Sequence, residues 1–215
     1  NIFVNKQDNK EITSKIEKSL KNNQSKKYFF SKDFNILKAE NSFVQYEDTE
    51  GSIILPEPNV LGDHQLANIS TSIATARKLF NIKNKDIKNG ITKIYLKGRL
   101  QEISSGKLKK VVGSNRLICD GGHNINSSKA IAEWIKQQNQ DVHLVVGMMK
   151  DKDHIGFIKC FKNIVKSITL IDIPNQEGSI SKEDFERKLN GTIQKINLSD
   201  SIEESIQSMN KYKNN

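Results

Sequence analysis

Apolar positions along this chain of 215 residues change their rhythm about halfway. Residues 1–4 end an extended segment, and Ile12, Ile16 and Leu20 then recur at helical spacing over residues 11–22. Residues 27–30 read as a strand. Between Phe34 and Leu55 the pattern becomes short extended pieces, 35–38, 42–47 and 52–55, broken by Glu40-Asn41 and by Thr49-Glu50-Gly51. That spacing predicts an antiparallel meander, closed by Pro56 and Pro58. Leu66, Ile69, Ile73, Ala76 and Phe80 follow at steps of three and four, which predicts a helix with one buried face and Asp63 as its N-cap. A short helix over 85–89 stops near Gly90.

The second half alternates. Strand 117–120 precedes helix 127–138, with Ala130, Ile131, Trp134 and Ile135 inward. Strand 142–147, helix 153–162 with Ile155, Ile158 and Phe161 inward, and strand 167–172 come next. Helix 181–189 opens on Ser181 and Asp184, a loose capping box, and strand 192–196 leads to helix 199–212. The order βαβαβαβα implies a mostly parallel sheet covered by helices. The expected class is α/β, a mixed piece followed by a Rossmann-like domain, with no internal repeat and no low-complexity linker.

Chemistry concentrates at the stretch Leu117-Ile118-Cys119-Asp120-Gly121-Gly122-His123-Asn124. Here an apolar strand delivers a carboxylate to its end, two glycines turn the chain, and an imidazole and an amide precede a helix. At the carboxyl end of a parallel strand, Asp120, His123 and Asn124 would project into the crevice where open α/β sheets bind ligands. Taken alone, Asp-Gly-Gly equally describes a connection whose Asp and Asn satisfy backbone groups. His64 and Asn68 share a face one turn apart near a helix start, where the plain alternative is an exposed polar face. Arg99 lies beside Gly98, and its planar fork suits a phosphate oxygen.

The formal charge of +9 raises the question of nucleic acid, which the kind of basic residue answers. Only Arg77, Arg99, Arg116 and Arg187 are arginine; the remaining basic residues are lysines spread among Asn and Ile without interleaved aromatics. A solvated lysine surface fits that dispersion, and nucleic acid is not an expected partner. Cys119 and Cys160 have neither metal-site nor disulfide-scaffold spacing and are expected to be buried, reduced thiols of a cytoplasmic protein. The longest apolar run, 142–149, is too short to span a bilayer, and residues 2–4 give way to a polar run instead of a secretory leader. The chain starts without Met, so its true start is expected to lie upstream or to have been lost.

Four separated clusters stand in order: Gly62-Asp63-His64-Gln65-Leu66-Ala67-Asn68, Gly98-Arg99-Leu100-Gln101, Asp120-Gly121-Gly122-His123-Asn124, and Gly147 with Asp151-Lys152-Asp153. Together they resemble the latter half of the folylpolyglutamate synthase/dihydrofolate synthase family, within the Mur ligase superfamily. The resemblance implies a partial Mur-ligase-like central ATP-binding domain over 1–96 and a Rossmann-like C-terminal ligase domain over 97–215, without its last strand. It also implies an ATP- and Mg²⁺-dependent ligase of folate metabolism that joins L-glutamate to the carboxylate of folyl(poly)glutamate or dihydropteroate through an acyl phosphate. A monomer is expected.

By the same resemblance, Asn68 serves the adenine and phosphate side of the nucleotide and Arg99 reaches its terminal phosphates. Asp120 holds the ribose, His123 faces the nucleotide and reaction centre, and His64 and Gln65 match a helix-opening pair. Arg99 and His123 are the expected catalytic residues. No metal ligand is assigned here, because the phosphate loop, the magnesium-binding residues and a modified lysine of the family lie upstream of the point matching Asn1. Asp151 and Asp153 are expected to form a turn and a helix cap. The chain is accordingly expected to be a truncated remnant, and activity of the polypeptide alone does not follow. A Mur-type peptide ligase and a non-catalytic nucleotide- or nucleic-acid-binding module are the competing readings.

Overall fold

The computed structural model describes residues 1–192 and 196–211, and the chain divides into two compact units, Asn1–Tyr95 and Leu96–Asn215. In the first unit, β1 (Ile2–Val4) pairs in parallel with β2 (Lys27–Phe29), and α1 (Lys10–Ser19) lies between them in sequence. Asn9 caps α1, but the helix buries none of its residues and Ile12 is exposed. Ile16 and Leu20 of the same stripe are half-buried.

The meander forms as β3 (Phe34–Ala39), β4 (Phe43–Asp48) and β5 (Gly51–Pro56), antiparallel and in the order 3-4-5. Alternation decides its faces: Phe34, Ile36, Val44, Tyr46, Ile53 and Leu55 are buried, while Leu37, Phe43 and Ile54 point outward. Against the inner face packs α2 (Asp63–Leu79) through Leu66, Ile69, Ile73 and Ala74, joined by Ile87 and Ile91 of α3 (Asn84–Ile91).

Two expectations for α2 are corrected. Gly62 (φ 92°) is its N-cap, with no side-chain cap bond, and Asp63 is the first helical residue, ion-paired to Lys38 at 2.7 Å. Phe80, expected inward, follows the last turn in extended backbone and is 64% exposed. Near the end of α2, Arg77 is nearly enclosed, its Nε 3.1 Å from Asp48 Oδ2 but not aligned as a hydrogen bond. Tyr46 donates to the same carboxylate at 2.9 Å, and burial together with Asp48 pushes its phenol far above the ordinary range.

The second unit holds a three-stranded parallel sheet in the order β10-β9-β8, made of β8 (His143–Val146), β9 (Ser167–Leu170) and β10 (Ile196–Leu198). The middle strand is buried through Ile168, Thr169 and Leu170. Helices α5 (Ile125–Lys136), α6 (His154–Lys159), α7 (Lys182–Leu189) and α8 (Ile202–Lys211) alternate with these strands, and their inward residues include Trp134, Ile135, Ile158, Phe185 and Ile206. Ile155, expected inward, is exposed because the buried face of α6 runs through His154, Phe157 and Ile158. Ser181 caps α7 by accepting from Asp184 N. The expected strand over 192–196 and the end of the helix expected to reach Tyr212 fall partly outside the described residues.

One strand departs from expectation. The segment before Asp120 forms only two ladder residues, β7 (Ile118–Cys119), and pairs antiparallel with β6 (Gln101–Glu102) in a separate two-stranded sheet. A helix that the periodicity did not reveal, α4 (Lys107–Val112), connects them. Arg116 bridges the same pair of strands, gripping Glu102 with Nε and Nη2 at 3.1 and 2.8 Å and lying over the Trp134 ring. Cys119, expected buried, is exposed at the end of this two-residue ladder.

Candidate functional site

In the first unit the helix start gathers three of the expected residues. Gln65 is 3% exposed, so its amide must find partners within the protein. Its Nε2 lies 3.0 Å from His64 Nε2, and its Oε1 accepts from Asn68 Nδ2 at 3.2 Å. Asn68, itself exposed, accepts at Oδ1 from Asn5 Nδ2 at 2.7 Å. Asn5 follows β1 and accepts from Lys6 N–H at 2.8 Å, while the Thr71 hydroxyl lies between two acceptors, Asn5 Oδ1 at 2.9 Å and Ala67 O at 3.0 Å. A groove of about 510 Å³ runs beside these groups, lined by Asn5, Asn68, Thr71 and Thr75 and ending at the exposed Phe80 ring.

The second unit assembles its group around one carboxylate. Asp120 Oδ2 accepts from Leu100 N at 2.7 Å and Oδ1 from Gly122 N at 2.6 Å, while Gly121 N donates to Gly98 O at 2.8 Å. The loops 98–101 and 120–124 are thus laced together. Gln101 Oε1 closes the first by accepting from Gly98 N at 2.9 Å. The lacing holds Leu100, 2% exposed, at φ 43°, a backbone conformation uncommon for a side chain of that bulk. Gly122 leaves little room for a side chain: a Cβ there would come within 2.9 Å of Asp120 Oδ1 and of Ile131 Cδ1, so either would have to shift.

Arg99 stands on this laced loop, exposed. Arg77, Arg116 and Arg187 are each ion-paired, to Asp48, Glu102 and Asp184, whereas Arg99 joins no ion pair among the described residues. His123 is exposed too, and its Nδ1 lies 3.0 Å from Gly121 O. A carbonyl only accepts, so Nδ1 carries the proton and the Nε2 lone pair of the neutral ring is left outward. Asn124 caps α5 by accepting from Ser127 N at 2.9 Å, the backbone task foreseen for it as an alternative.

Asp153 likewise caps α6, accepting from Gly156 N at 2.8 Å. The Asp151 carboxyl is held below its usual range, chiefly by the hydrogen bond from Lys152. His64, Gln65 and Asn68 therefore belong to the first unit, and Arg99, Asp120 and His123 to the second.

Sequence reasoning missed Asn5, because 63 positions separate it from the residue it touches. Thr71 was missed too, although its place one turn beyond Asn68 on the same helix face could have pointed to it. It also missed His154, which is 3% exposed, donates from Nε2 to Met149 O at 3.0 Å and packs edge-on to Phe185. Burial lowers the basicity of that ring.

A meander packed under a helix, followed by a parallel α/β unit with laced polar loops, makes this an α/β protein. The family model for the Mur ligase glutamate ligase domain matches residues 98–215, and the chain belongs to the Mur ligase family. Among its relatives is the folylpolyglutamate synthase of Lacticaseibacillus casei, 24% identical over 187 residues, which are 82% of this chain and 41% of that protein. The solved folylpolyglutamate synthase of Mycobacterium tuberculosis, complexed with ADP and AMPPCP, superposes with a TM-score of 0.82 at 12% identity, covering 99% of this chain and 48% of that one. A bifunctional folylpolyglutamate synthase/dihydrofolate synthase of Yersinia pestis, complexed with AMPPNP and a Mn ion, gives a TM-score of 0.75 at 19% identity, over 98% and 46%. The chain thus spans less than half the length of these relatives.

No group of three or more His, Cys, Asp or Glu among the described residues is arranged to hold a metal ion. No helix of the described residues is long and apolar enough to cross a membrane.

Proposed function

We propose that this chain contributes the nucleotide-side groups of an ATP-dependent amide ligase that adds L-glutamate to the carboxylate of folyl(poly)glutamate or dihydropteroate. Residues 1–96 act as part of a central ATP-binding domain and 97–215 as the glutamate ligase domain. The substrate carboxylate attacks the γ-phosphorus and ADP leaves; the glutamate amine then attacks the acyl carbon, forming the amide as inorganic phosphate departs. Phosphorylation is what converts a carboxylate oxygen into a competent leaving group. The protein has to neutralise the moving phosphoryl charge and keep water from the acyl phosphate.

Arg99 carries this reading. It is the arginine left without an ion pair among the described residues, and it sits on a loop laced to the His123 loop by Asp120. An exposed guanidinium on a braced loop is a ready fork for phosphate oxygens. In this reading Asn68 takes the adenine side, with His64 and Gln65 behind it; Asp120 accepts from the ribose with the lone pairs that its two backbone donors leave. His123 offers its outward Nε2 at the reaction centre. Residues able to hold Mg²⁺ are not gathered among those described, so no step here is routed through it.

The test is ADP release on mixing ATP, Mg²⁺, glutamate and each acceptor with the chain alone and with the chain fused behind the first half of the Lacticaseibacillus casei enzyme. Acceptor-dependent ADP is expected from at least the fusion. Arg99→Ala should lower its rate by about a hundredfold or more, and Arg99→Lys should recover only part of that, because a point charge cannot grip two oxygens at once. Release of ADP by neither protein would reject the assignment.

A further inference from the structure

The hydrogen bonds at the start of α2 fix their own direction. Oxygen and nitrogen of a carboxamide are alike in shape, so the sense of an amide chain has to be set by a group whose role is not in doubt. Lys6 N–H is such a group: a backbone amide only donates, so the Asn5 atom 2.8 Å from it is the oxygen. Asn5 Nδ2 then faces Asn68, whose facing atom at 2.7 Å must be Oδ1. Asn68 turns Nδ2 to Gln65, whose facing atom at 3.2 Å must be Oε1. Gln65 consequently presents Nε2 to His64 Nε2 at 3.0 Å, which has to accept and so carries no proton.

We infer that Asn5 is a positioning residue: it dictates which edge of its amide Asn68 presents to the groove, and it holds neutral His64 as the Nδ1–H tautomer. The Thr71 hydroxyl lies 2.9 Å from Asn5 Oδ1 and 3.0 Å from Ala67 O and can give its single proton to only one of them, so it is Lys6 N–H that fixes the orientation, and the buried Gln65 transmits it because its amide has no water to turn to. This rests on the reading of Asn68 as a nucleotide residue only for its functional consequence, not for the relay itself.

Asn5→Asp is the decisive substitution. A carboxylate cannot donate to Asn68 Oδ1, so the Asn68 amide turns its NH₂ to position 5, Gln65 turns in response, and His64 has to donate from Nε2. The measurement is ¹⁵N NMR of the histidine-labelled 215-residue chain at pH 8, with the His64 signals assigned by their loss in His64→Gln. The wild type is expected as the Nδ1–H tautomer and Asn5→Asp as the Nε2–H tautomer. Asn5→Ala, which removes the anchor without adding charge, should show a mixture of both, and it serves also if the carboxylate disturbs folding.

A His64 ring that keeps the wild-type tautomer in both variants would overturn the inference. ADP binding by the same proteins separates the two readings. Reversal accompanied by affinity weakened about tenfold supports both, since about one hydrogen bond is lost. Reversal with unchanged ADP affinity upholds the relay and removes Asn68 from nucleotide binding.

Discussion

The two units brace their polar loops by opposite means. In the first, three amides pass hydrogen bonds from Asn5 to His64, and direction is what they encode. In the second, one carboxylate gathers two backbone N–H groups from separate loops, and charge is what holds them. Bonds to a charged acceptor contribute roughly twice as much as neutral ones. Damage to the second should therefore appear as lost stability, and damage to the first as misorientation in a protein of nearly unchanged stability.

Asp120→Ala should open the largest gap between the two, destabilising the chain by about 3 kcal/mol, since it strands two partly buried donors; urea unfolding measures it. Asp120→Asn is expected to fare little better, because an amide nitrogen would then face one of the two N–H groups. A loss under about 1 kcal/mol would mean that the loops are held by something other than the carboxylate.

Gly122→Ala comes next. Its methyl would press on the Asp120 carboxylate and the Ile131 side chain, at an expected cost of about 2 kcal/mol with no change of charge. Asn5→Ala should cost less than about 1 kcal/mol by the same urea measurement, as expected of an exposed neutral pair.

The smallest effect is one of pH. His154 has its basicity lowered by burial, so the unfolded chain binds the proton more readily than the folded one. Its contribution is complete above the ordinary histidine range and is lost as the pH falls through that range toward the folded value. The urea midpoint of the wild type should fall more steeply between pH 7 and pH 5 than that of His154→Phe; equal slopes would contradict it.

Periodicity revealed most of the helices and the meander because Leu66, Ile69 and Ile73, or Val44 and Tyr46, alternate with the geometry that buries them. It failed where an element is too short to have a period. Ile118–Cys119 has two ladder residues, and no pattern distinguishes an antiparallel pair with Gln101–Glu102 from a place in the parallel sheet. Phe80 continued the stripe of α2 numerically, but backbone beyond the last turn no longer follows that stripe.

Within the candidate site, clusters contiguous in sequence were legible: Asp120 with Gly122, and His64 with Gln65 and Asn68. Asn5 was not, since a polar residue after a strand carries no mark of the distant helix it will meet. Asn124 and Asp153 illustrate the reverse, residues conspicuous in sequence whose bonds go to helix N-termini.

Cys119 gives the laced loops a ready vantage point. Its thiol is exposed one residue before Asp120, whereas Cys160 is half-buried and donates to Gly156 O at 3.4 Å. A maleimide dye added briefly in substoichiometric amount should attach at the former, putting a fluorophore beside the fold-back without any engineered cysteine. Its emission would then record, in the otherwise native polypeptide, whether adding ADP disturbs that fold-back.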